Sequence, residues 1–228
     1  MLCIIQARMS SKRFKGKMLA NLLGVTVLQS VVSRIKLCNF VTKIIVATST
    51  NISDDKLVDF CIKNGIEYYR GSLENVASRF YEIILSENTT AFMRISGDSP
   101  LIDPDLIDKA IEVYNSESID IFTNVFPRTF PKGQSIEIIK SKVFLETFNL
   151  MKTNEQLEHV TGYFYSNSEE FKIFNLIALE DYSDVNLCID NPEDIEILEK
   201  VLKTNNYKPG PWKVLADSYR ILKIQLLV

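Results

Sequence analysis

The sequence predicts an α/β fold of three layers, in which helices cover both faces of a mainly parallel sheet. Short β-branched apolar runs alternate with segments that carry apolar residues at helical spacing, from residue 2 to about residue 95. This βαβαβαβ order implies parallel strands joined by right-handed crossovers. The length of 228 residues suits one such domain with a small insertion.

Four strands and three helices are predicted in this first part of the chain. The strands are Leu2–Ile5, Lys43–Thr48, Ile66–Tyr69 and Thr90–Ile95, and the last of these is expected to be central. The helices are Val25–Leu37, Asp54–Lys63 with Ser53 as its N-cap, and Glu74–Ser86.

The alternation is lost after a helix that begins at Asp103-Pro104 and runs to about Tyr114. The predicted strands here are Ile119–Thr123, Gln134–Ile139, Phe171–Ala178 and Val185–Ile189, and the helices are Lys142–Met151, Asn154–Tyr165 and Glu193–Lys203. We therefore expect a single domain over 1–228, with an antiparallel flap or dimerisation arm at about 119–150 and a tail helix within 206–228.

The first strand opens into a cationic loop within Ile4–Lys17. Its five cations are Arg8, Lys12, Arg13, Lys15 and Lys17, and no acid lies among them. Ligands of open α/β sheets bind at the carboxyl ends of the strands. Cationic side chains and free backbone N–H groups can surround a triphosphate there. A solvated basic loop is the alternative explanation of the same pattern.

Charge is unevenly distributed along the chain. Residues 1–53 hold eight Lys or Arg and no acid, whereas the other residues hold 18 basic and 29 acidic residues, so the two parts carry +8 and −11. The overall charge of −3 argues against a general nucleic-acid-binding protein. A basic segment within an acidic protein instead favours a focused site for a small anion.

The four cysteines, at 3, 38, 61 and 188, are scattered and form no CxxC pair. This spacing predicts small core residues in a reducing compartment. No apolar run is long enough to suggest a membrane span, and the N-terminal run is too short for a signal peptide. A cytoplasmic location is expected.

Two acids have positions that suit metal binding. Asp98 follows the fourth strand, and Asp190 ends the predicted strand at 185–189. Carboxylates facing a polyphosphate provide the hard oxygen ligands that Mg²⁺ requires. Each acid also has a structural explanation, Asp98 as a turn cap and Asp190 as a residue preceding a helix. His159 is the only histidine, and its place in a predicted helix favours a structural role over that of a general base.

Five segments in order resemble a known family: IIQARMSSKRFKGKML, RGSLENVASRFYE, RISGDSPLIDPDLID, EHVTGYFY and CIDNPEDIEILE. They are similar to the cytidylyltransferases that make CMP-activated acidic sugars. The likeness is greatest to the spore-coat-polysaccharide-type branch, which is related to the CMP-Kdo and CMP-acylneuraminate synthetases. It spans about residues 1–204 and implies a three-layer, Rossmann-like nucleotidyltransferase fold.

The resemblance also implies roles for individual residues. Arg8, Lys17 and Asp98 would be catalytic, and Asp98 and Asp190 would bind Mg²⁺, with Mn²⁺ as the alternative. The residues that would bind the nucleotide are Ala7, Arg8, Ser10, Ser11, Arg13, Lys17, Arg70, Ser72 and Arg79. The implied partners are CTP, an acidic sugar or other small acceptor, and a second copy of the chain, with neither nucleic acid nor membrane.

Three residues depart from the family pattern. Lys15 stands where proline is usual, Ser10 where glycine is usual, and Ser78 where aspartate is usual. Two alternatives are a CDP-forming sugar-phosphate cytidylyltransferase and a related glycosyltransferase. A third, a nucleotide-binding subunit without catalysis, is left open by Lys15 and Ser78. The absence of an Asp-x-Asp pair at Asp98 argues against the glycosyltransferase.

Overall fold

A seven-stranded sheet forms the centre of the protein, seen in a computed structural model that describes residues 1–206 and 208–225. In chain order the strands are β1 (Leu2–Gln6), β2 (Asn21–Leu22), β3 (Val25–Thr26), β4 (Lys43–Ser49), β5 (Glu67–Gly71), β6 (Ala91–Ser96), β7 (Ile121–Thr123), β8 (Glu137–Lys140) and β9 (Ile173–Asn175). β2 and β3 pair with each other as a short antiparallel hairpin, and the other seven strands form the sheet.

The order of the sheet is β5-β4-β1-β6-β8-β7-β9. β8 runs antiparallel to both of its neighbours, and the other neighbouring strands are parallel. The predicted mainly parallel sheet is therefore confirmed, and β6 has the expected central position.

Helices cover both faces of this sheet. They are α1 (Val27–Ile35), α2 (Asp55–Lys63), α3 (Val76–Glu87), α4 (Pro104–Ser116), α5 (Ser141–Phe148), α6 (Asn154–His159), α7 (Gly162–Ser166), α8 (Pro192–Thr204) and α9 (Trp212–Gln225). α1, α2 and α4 share one core with the sheet, and α3, α5 and α7 share the other. This arrangement confirms the three layers.

β1 shows why the first strands are almost wholly apolar. Side chains alternate between the two faces of a strand, so Cys3 and Ile5 enter one core while Leu2 and Ile4 enter the other. A strand with helices on both faces needs apolar residues at every position. Its polar residues are consequently confined to its carboxyl end, where the cationic loop begins.

Several predicted elements differ from the structure. The predicted strand Val185–Ile189 does not form, and this segment pairs with Lys132 through an isolated bridge at Asn186. The predicted strand Phe171–Ala178 shortens to β9. The predicted helix Asn154–Tyr165 breaks into α6 and α7 at Val160, whose φ of 52° does not continue a right-handed helix.

Helix starts also differ from their predictions. Val25 and Thr26 belong to β3, and the Thr26 side chain caps α1. Ser53 lies within a short 3₁₀ turn, Ile52–Asp54, that Asn51 caps. The predicted tail helix is α9, and residues 226–228 lie outside the described part of the chain.

All four cysteines are free and buried, as predicted for core residues. No helix among the described residues combines the length and the apolar character that crossing a membrane requires. α8 and α9 pack together on a third apolar cluster, which extends to the β2–β3 hairpin and to the segment before Asp190.

Candidate active site

The candidate site lies where β1 and β6 end side by side. Gln6 is paired with Ser96 in the register of these strands, and the Gly97 N–H donates to the Gln6 carbonyl at 2.9 Å. A Cβ atom at Gly97 would lie 3.0 Å from Ala7 Cβ and 3.0 Å from Met18 Sδ. Glycine therefore allows the cationic loop to close over the end of β6, directly before Asp98.

The cationic loop closes on Met9. The Gly16 N–H donates to the Met9 carbonyl at 2.9 Å, and Gly16 takes a φ of 78°, which glycine adopts without strain. A 3₁₀ turn then begins at Lys17, whose side chain is only 8% exposed. The turn directs Lys17 inward, whereas Arg13 at the outer part of the loop has a side chain that is 63% exposed.

Lys17 joins the two predicted metal ligands. Its Nζ donates to Asp98 Oδ2 at 2.6 Å, to the Ile189 carbonyl at 2.8 Å and to Asp190 Oδ1 at 3.2 Å. Arg13 Nη2 donates to the same Asp190 oxygen at 2.8 Å. Two carboxylates that are 92 positions apart in the sequence thus converge on one cationic atom.

The pKa of Lys17 lies above its ordinary value. Burial by itself would lower this pKa, but the charges and hydrogen bonds of Asp98 and Asp190 outweigh the effect of burial. Lys17 consequently carries its charge at neutral pH.

Asp190 reaches the site through the backbone of the segment before it. The Ile189 N–H donates to the Asp98 carbonyl at 2.9 Å, which ties this segment to the turn after β6. The N–H groups of Asp190 and Asn191 both donate to Asp194 Oδ2, at 2.8 and 2.7 Å, where α8 begins. These bonds fix the backbone on both sides of Asp190, so its carboxylate is held at the site although residues 185–189 form no strand.

A cavity of about 320 Å³ opens between the loop and these carboxylates. The predicted site residues that line it are Ala7, Arg8, Ser11, Arg13, Lys17, Arg79, Asp98 and Asp190. Ser10, Arg70 and Ser72 are not among the lining residues. Arg70 instead pairs with Asp55 at 2.7 Å, and the Ser72 hydroxyl accepts the Asn75 N–H at 3.0 Å.

Arg8 crosses the mouth of the cavity to Glu158 of α6. Its Nη2 donates to Glu158 Oε1 at 2.8 Å, with side chains 37% and 45% exposed. This hydrogen bond lowers the pKa of Glu158. In this structure the Arg8 guanidinium is therefore paired with a carboxylate at the cationic loop.

Arg79 lies on the floor of the cavity and is 1% exposed. Its Nη1 donates to the Ala47 carbonyl at 3.1 Å, while Nε and Nη2 have no hydrogen-bond partner in the described part of the chain. Burial, and secondarily the charge of Arg8, lower the pKa of Arg79 to about 10. The floor of the cavity is therefore positively charged, as an anion site requires.

Some residues at the site were missed by sequence reasoning. Glu158 and Gln6 line the cavity, and buried Asp54 accepts the Met9 N–H at 2.7 Å from beneath the loop. Glu158 lies in the segment EHVTGYFY, directly before His159. Nothing in the sequence connects Asp54 with a loop 45 residues earlier.

The fold and this site together define a nucleotidyltransferase: the cations can hold a polyphosphate, and the paired carboxylates suit a divalent cation. Comparison with known proteins gives the particular family. The cytidylyltransferase family matches residues 2–218, and the chain belongs to it. It is a CTP-dependent nucleotidyltransferase.

Individual relatives support the same assignment. The chain is 31% identical over 215 residues to the spore coat polysaccharide biosynthesis protein SpsF of Bacillus subtilis. This match covers 91% of this chain and 88% of that protein. It is 37% identical over 111 residues to the 3-deoxy-manno-octulosonate cytidylyltransferase of Solibacter usitatus, covering 47% and 42% of the two chains. A solved cytidylyltransferase structure from Leptospira borgpetersenii superposes with a TM-score of 0.88 at 30% identity. The match covers 98% of this chain and 93% of that chain. The resemblance found in the sequence is thereby confirmed.

Proposed function

We propose that the protein transfers CMP from CTP to an acidic sugar, with release of pyrophosphate, in the synthesis of a surface polysaccharide or glycan. The observation that carries this proposal is the cavity in which four loop cations face Asp98 and Asp190. The names of the relatives, a spore coat polysaccharide protein and a cytidylyltransferase for an acidic sugar, support the choice of acceptor.

The chain contributes mainly by positioning the substrates and neutralising their charge. The acceptor hydroxyl attacks the α-phosphorus of CTP in line, the bond from that phosphorus to the bridging oxygen breaks, and pyrophosphate leaves. Arg8, Arg13 and Lys17 hold the β- and γ-phosphates and stabilise the leaving group. Arg8 leaves Glu158 to do so. The cationic floor at Arg79 lies beneath the nucleotide, and Arg70 and Ser72 are proposed to lie near the base and ribose.

Asp98 and Asp190 fit Mg²⁺ or Mn²⁺ because their carboxylates already converge on the Lys17 ammonium. Among the described residues no group of three or more His, Cys, Asp or Glu could hold a metal, so phosphate and water oxygens must complete the coordination. When bound there, the cation would polarise the α-phosphate and lower the pKa of the acceptor hydroxyl.

We also propose a homodimer in the cytoplasm, formed through residues 119–150 together with β9, the strand that pairs with β7 of that segment. β9 is an edge strand of the sheet, and Ile177 and Leu179, which follow it, are exposed. An exposed edge with apolar neighbours favours pairing with another chain.

Pyrophosphate release from the four nucleoside triphosphates, each with a panel of acidic sugars, tests this function. CTP with one acidic sugar should give turnover that ATP and GTP do not support, and EDTA should abolish it. Arg8→Ala should lose about 2–4 kcal/mol in kcat/KM, the scale of one preorganised charge-stabilising donor.

Lys15→Ala is the matched control for Arg8→Ala, because it removes an exposed cation from the same loop. It should lose much less activity. Equal turnover of all four nucleotides, or full activity in EDTA, would contradict the proposal. Sedimentation of the same preparation as a monomer would contradict the homodimer alone.

A further inference from the structure

The ammonium of Lys17 occupies the place between the carboxylates that a metal would need. An ammonium has three hydrogens. Asp98 Oδ2, Asp190 Oδ1 and the Ile189 carbonyl accept all three, at 2.6, 3.2 and 2.8 Å. In this arrangement Lys17 has no hydrogen left for a phosphate oxygen. A phosphate contact by Lys17 therefore requires it to give up a carboxylate.

The carboxylates have partners besides Lys17, although Asp190 Oδ2 accepts only a long contact of 4.0 Å from the Cys188 thiol. The Ser96 hydroxyl donates to Asp98 Oδ1 at 2.7 Å, so both oxygens of Asp98 already accept hydrogen bonds. Asp190 Oδ1 accepts from Arg13 as well as from Lys17. Two formal negative charges thus face two positive charges. A divalent cation held by both carboxylates without nucleotide would have to displace Lys17.

If a free metal ion displaced Lys17, its ammonium would lose the hydrogen bonds to Asp98 and Asp190 while remaining buried. Its side chain is only 8% exposed, and an unpaired buried ammonium is unfavourable. A triphosphate removes this obstacle because its oxygens lie in the same cavity and accept hydrogen bonds as charged groups. When metal and nucleotide bind together, the metal neutralises the two carboxylates and the phosphate oxygens accept hydrogen bonds from Lys17. Neither ligand alone restores both sets of contacts.

We propose that Lys17 makes the Asp98–Asp190 pair selective for a divalent cation that arrives with a nucleotide, over the free cation. The inference rests on the proposed function and adds the order in which the site fills. Lys17 neutralises the carboxylates in the resting protein and moves to the triphosphate when the metal takes its place. Binding of the two ligands is then cooperative, and the coupling is reciprocal.

Binding of Mn²⁺ to the full chain without nucleotide tests this, with the electron paramagnetic resonance signal of free Mn²⁺ as the readout. The wild type should bind weakly. Lys17→Met should bind at least about tenfold more tightly, within the usual range of such couplings. The double variant Lys17→Met/Asp98→Asn should lose that gain, because the metal then lacks one carboxylate.

Lys15→Met is the matched control, since it removes the same charge from an exposed position on the same loop. It should change the Mn²⁺ affinity by less than about twofold, which separates displacement of Lys17 from a general change in charge. Equal affinities in wild type and Lys17→Met would overturn the inference, and so would the absence of binding in both. Pyrophosphate release by the wild type is independent of these results and alone decides the proposed function.

A measurement on the wild type covers the case in which Lys17→Met does not fold. The ¹⁵N–¹H signal of the buried Lys17 ammonium should stay unchanged when Mg²⁺ alone is added, and it should shift when CTP and Mg²⁺ are added together. A shift with Mg²⁺ alone would overturn the inference.

Discussion

Asp54 holds the cationic loop from beneath, although it lies in the 3₁₀ turn that precedes α2. Its Oδ1 accepts the Met9 N–H at 2.7 Å, while Oδ2 accepts the backbone N–H and the hydroxyl of Ser49. Asp54→Asn keeps one oxygen but turns the other acceptor into a donor that faces these donors. The loop should lose its fixed position, and kcat/KM for CTP should fall about tenfold, or ~1.4 kcal/mol.

Asp59→Asn is the control for this prediction. Asp59 lies on α2, directly after the turn that holds Asp54, and is exposed, so kcat/KM and the free energy of unfolding of this variant should match the wild type. Asp54→Asn would contradict the positioning role if it lowered stability and left kcat/KM for CTP unchanged.

Individual residues were predictable where a general rule places them. Arg8, Lys17 and Asp98 follow strands β1 and β6, and residues after parallel strands gather at one edge of a sheet. Asp54 and Glu158 follow no such rule. Each meets the loop only because the crossovers pack as they do, over separations of 45 and 150 residues.

At the scale of elements, the segment 185–189 was apolar enough to suggest a strand but has only a loop to pair with. The Lys132 N–H donates to the Val185 carbonyl at 2.9 Å, and the Leu187 N–H donates to the Lys132 carbonyl at 2.8 Å. Burial of Val185, Leu187 and Ile189 against α8 and α9 explains the pattern. A single sequence shows that such a run is buried, but not whether another strand lies beside it.

Gly133 is the residue that lets the loop approach this segment. Its φ is 93°, and a Cβ there would lie 2.6 Å from the Leu187 carbonyl carbon and 2.9 Å from the Cys188 nitrogen. These are backbone atoms, so Gly133→Ala must shift the segment that carries Asp190. We expect it to lower the free energy of unfolding in urea by more than about 2 kcal/mol and to reduce kcat.

Gly65→Ala is the control that shows how much of the effect of Gly133→Ala comes from backbone strain alone, without a steric clash. Gly65 has a φ of 61°, but a Cβ there would have no atom within 4 Å. It should lose only about 1 kcal/mol, the usual penalty of a left-handed alanine, and keep full activity. Equal losses in the two variants would show that the contact between Gly133 and Leu187 is unimportant.

At the scale of the whole molecule, the uneven charge of the sequence is concentrated in space. Arg8, Lys12, Arg13 and Lys17 all line one cavity, whereas the part of the chain after residue 53 carries a net −11. A cationic cleft in an acidic protein focuses the field on a small anion and disfavours large polyanions such as nucleic acid. This property was predictable, because it depends on where charges fall along one loop rather than on packing.

The buried thiols make the fold sensitive to alkali. Burial raises the pKa of Cys38 to about 12 and that of Cys61 to about 11, from an ordinary value of 9.0. Above pH 9 the unfolded chain loses these protons while the folded chain keeps them. The unfolded state then binds fewer protons, so the free energy of unfolding must fall as the pH rises from 9 toward 11.

Burial raises the pKa of Cys3 and Cys188 as well. Urea unfolding at pH 8.0 and at pH 10.0 measures the loss, which should be about 1 kcal/mol for each buried thiol. Cys61→Ala is informative because alanine cannot ionise. The variant should be less stable than the wild type at pH 8.0, since it leaves a small gap in the core. Its further loss on going to pH 10.0 should nevertheless be smaller than that of the wild type. If both proteins lost the same free energy between the two pH values, ionisation of Cys61 in the unfolded chain would not contribute.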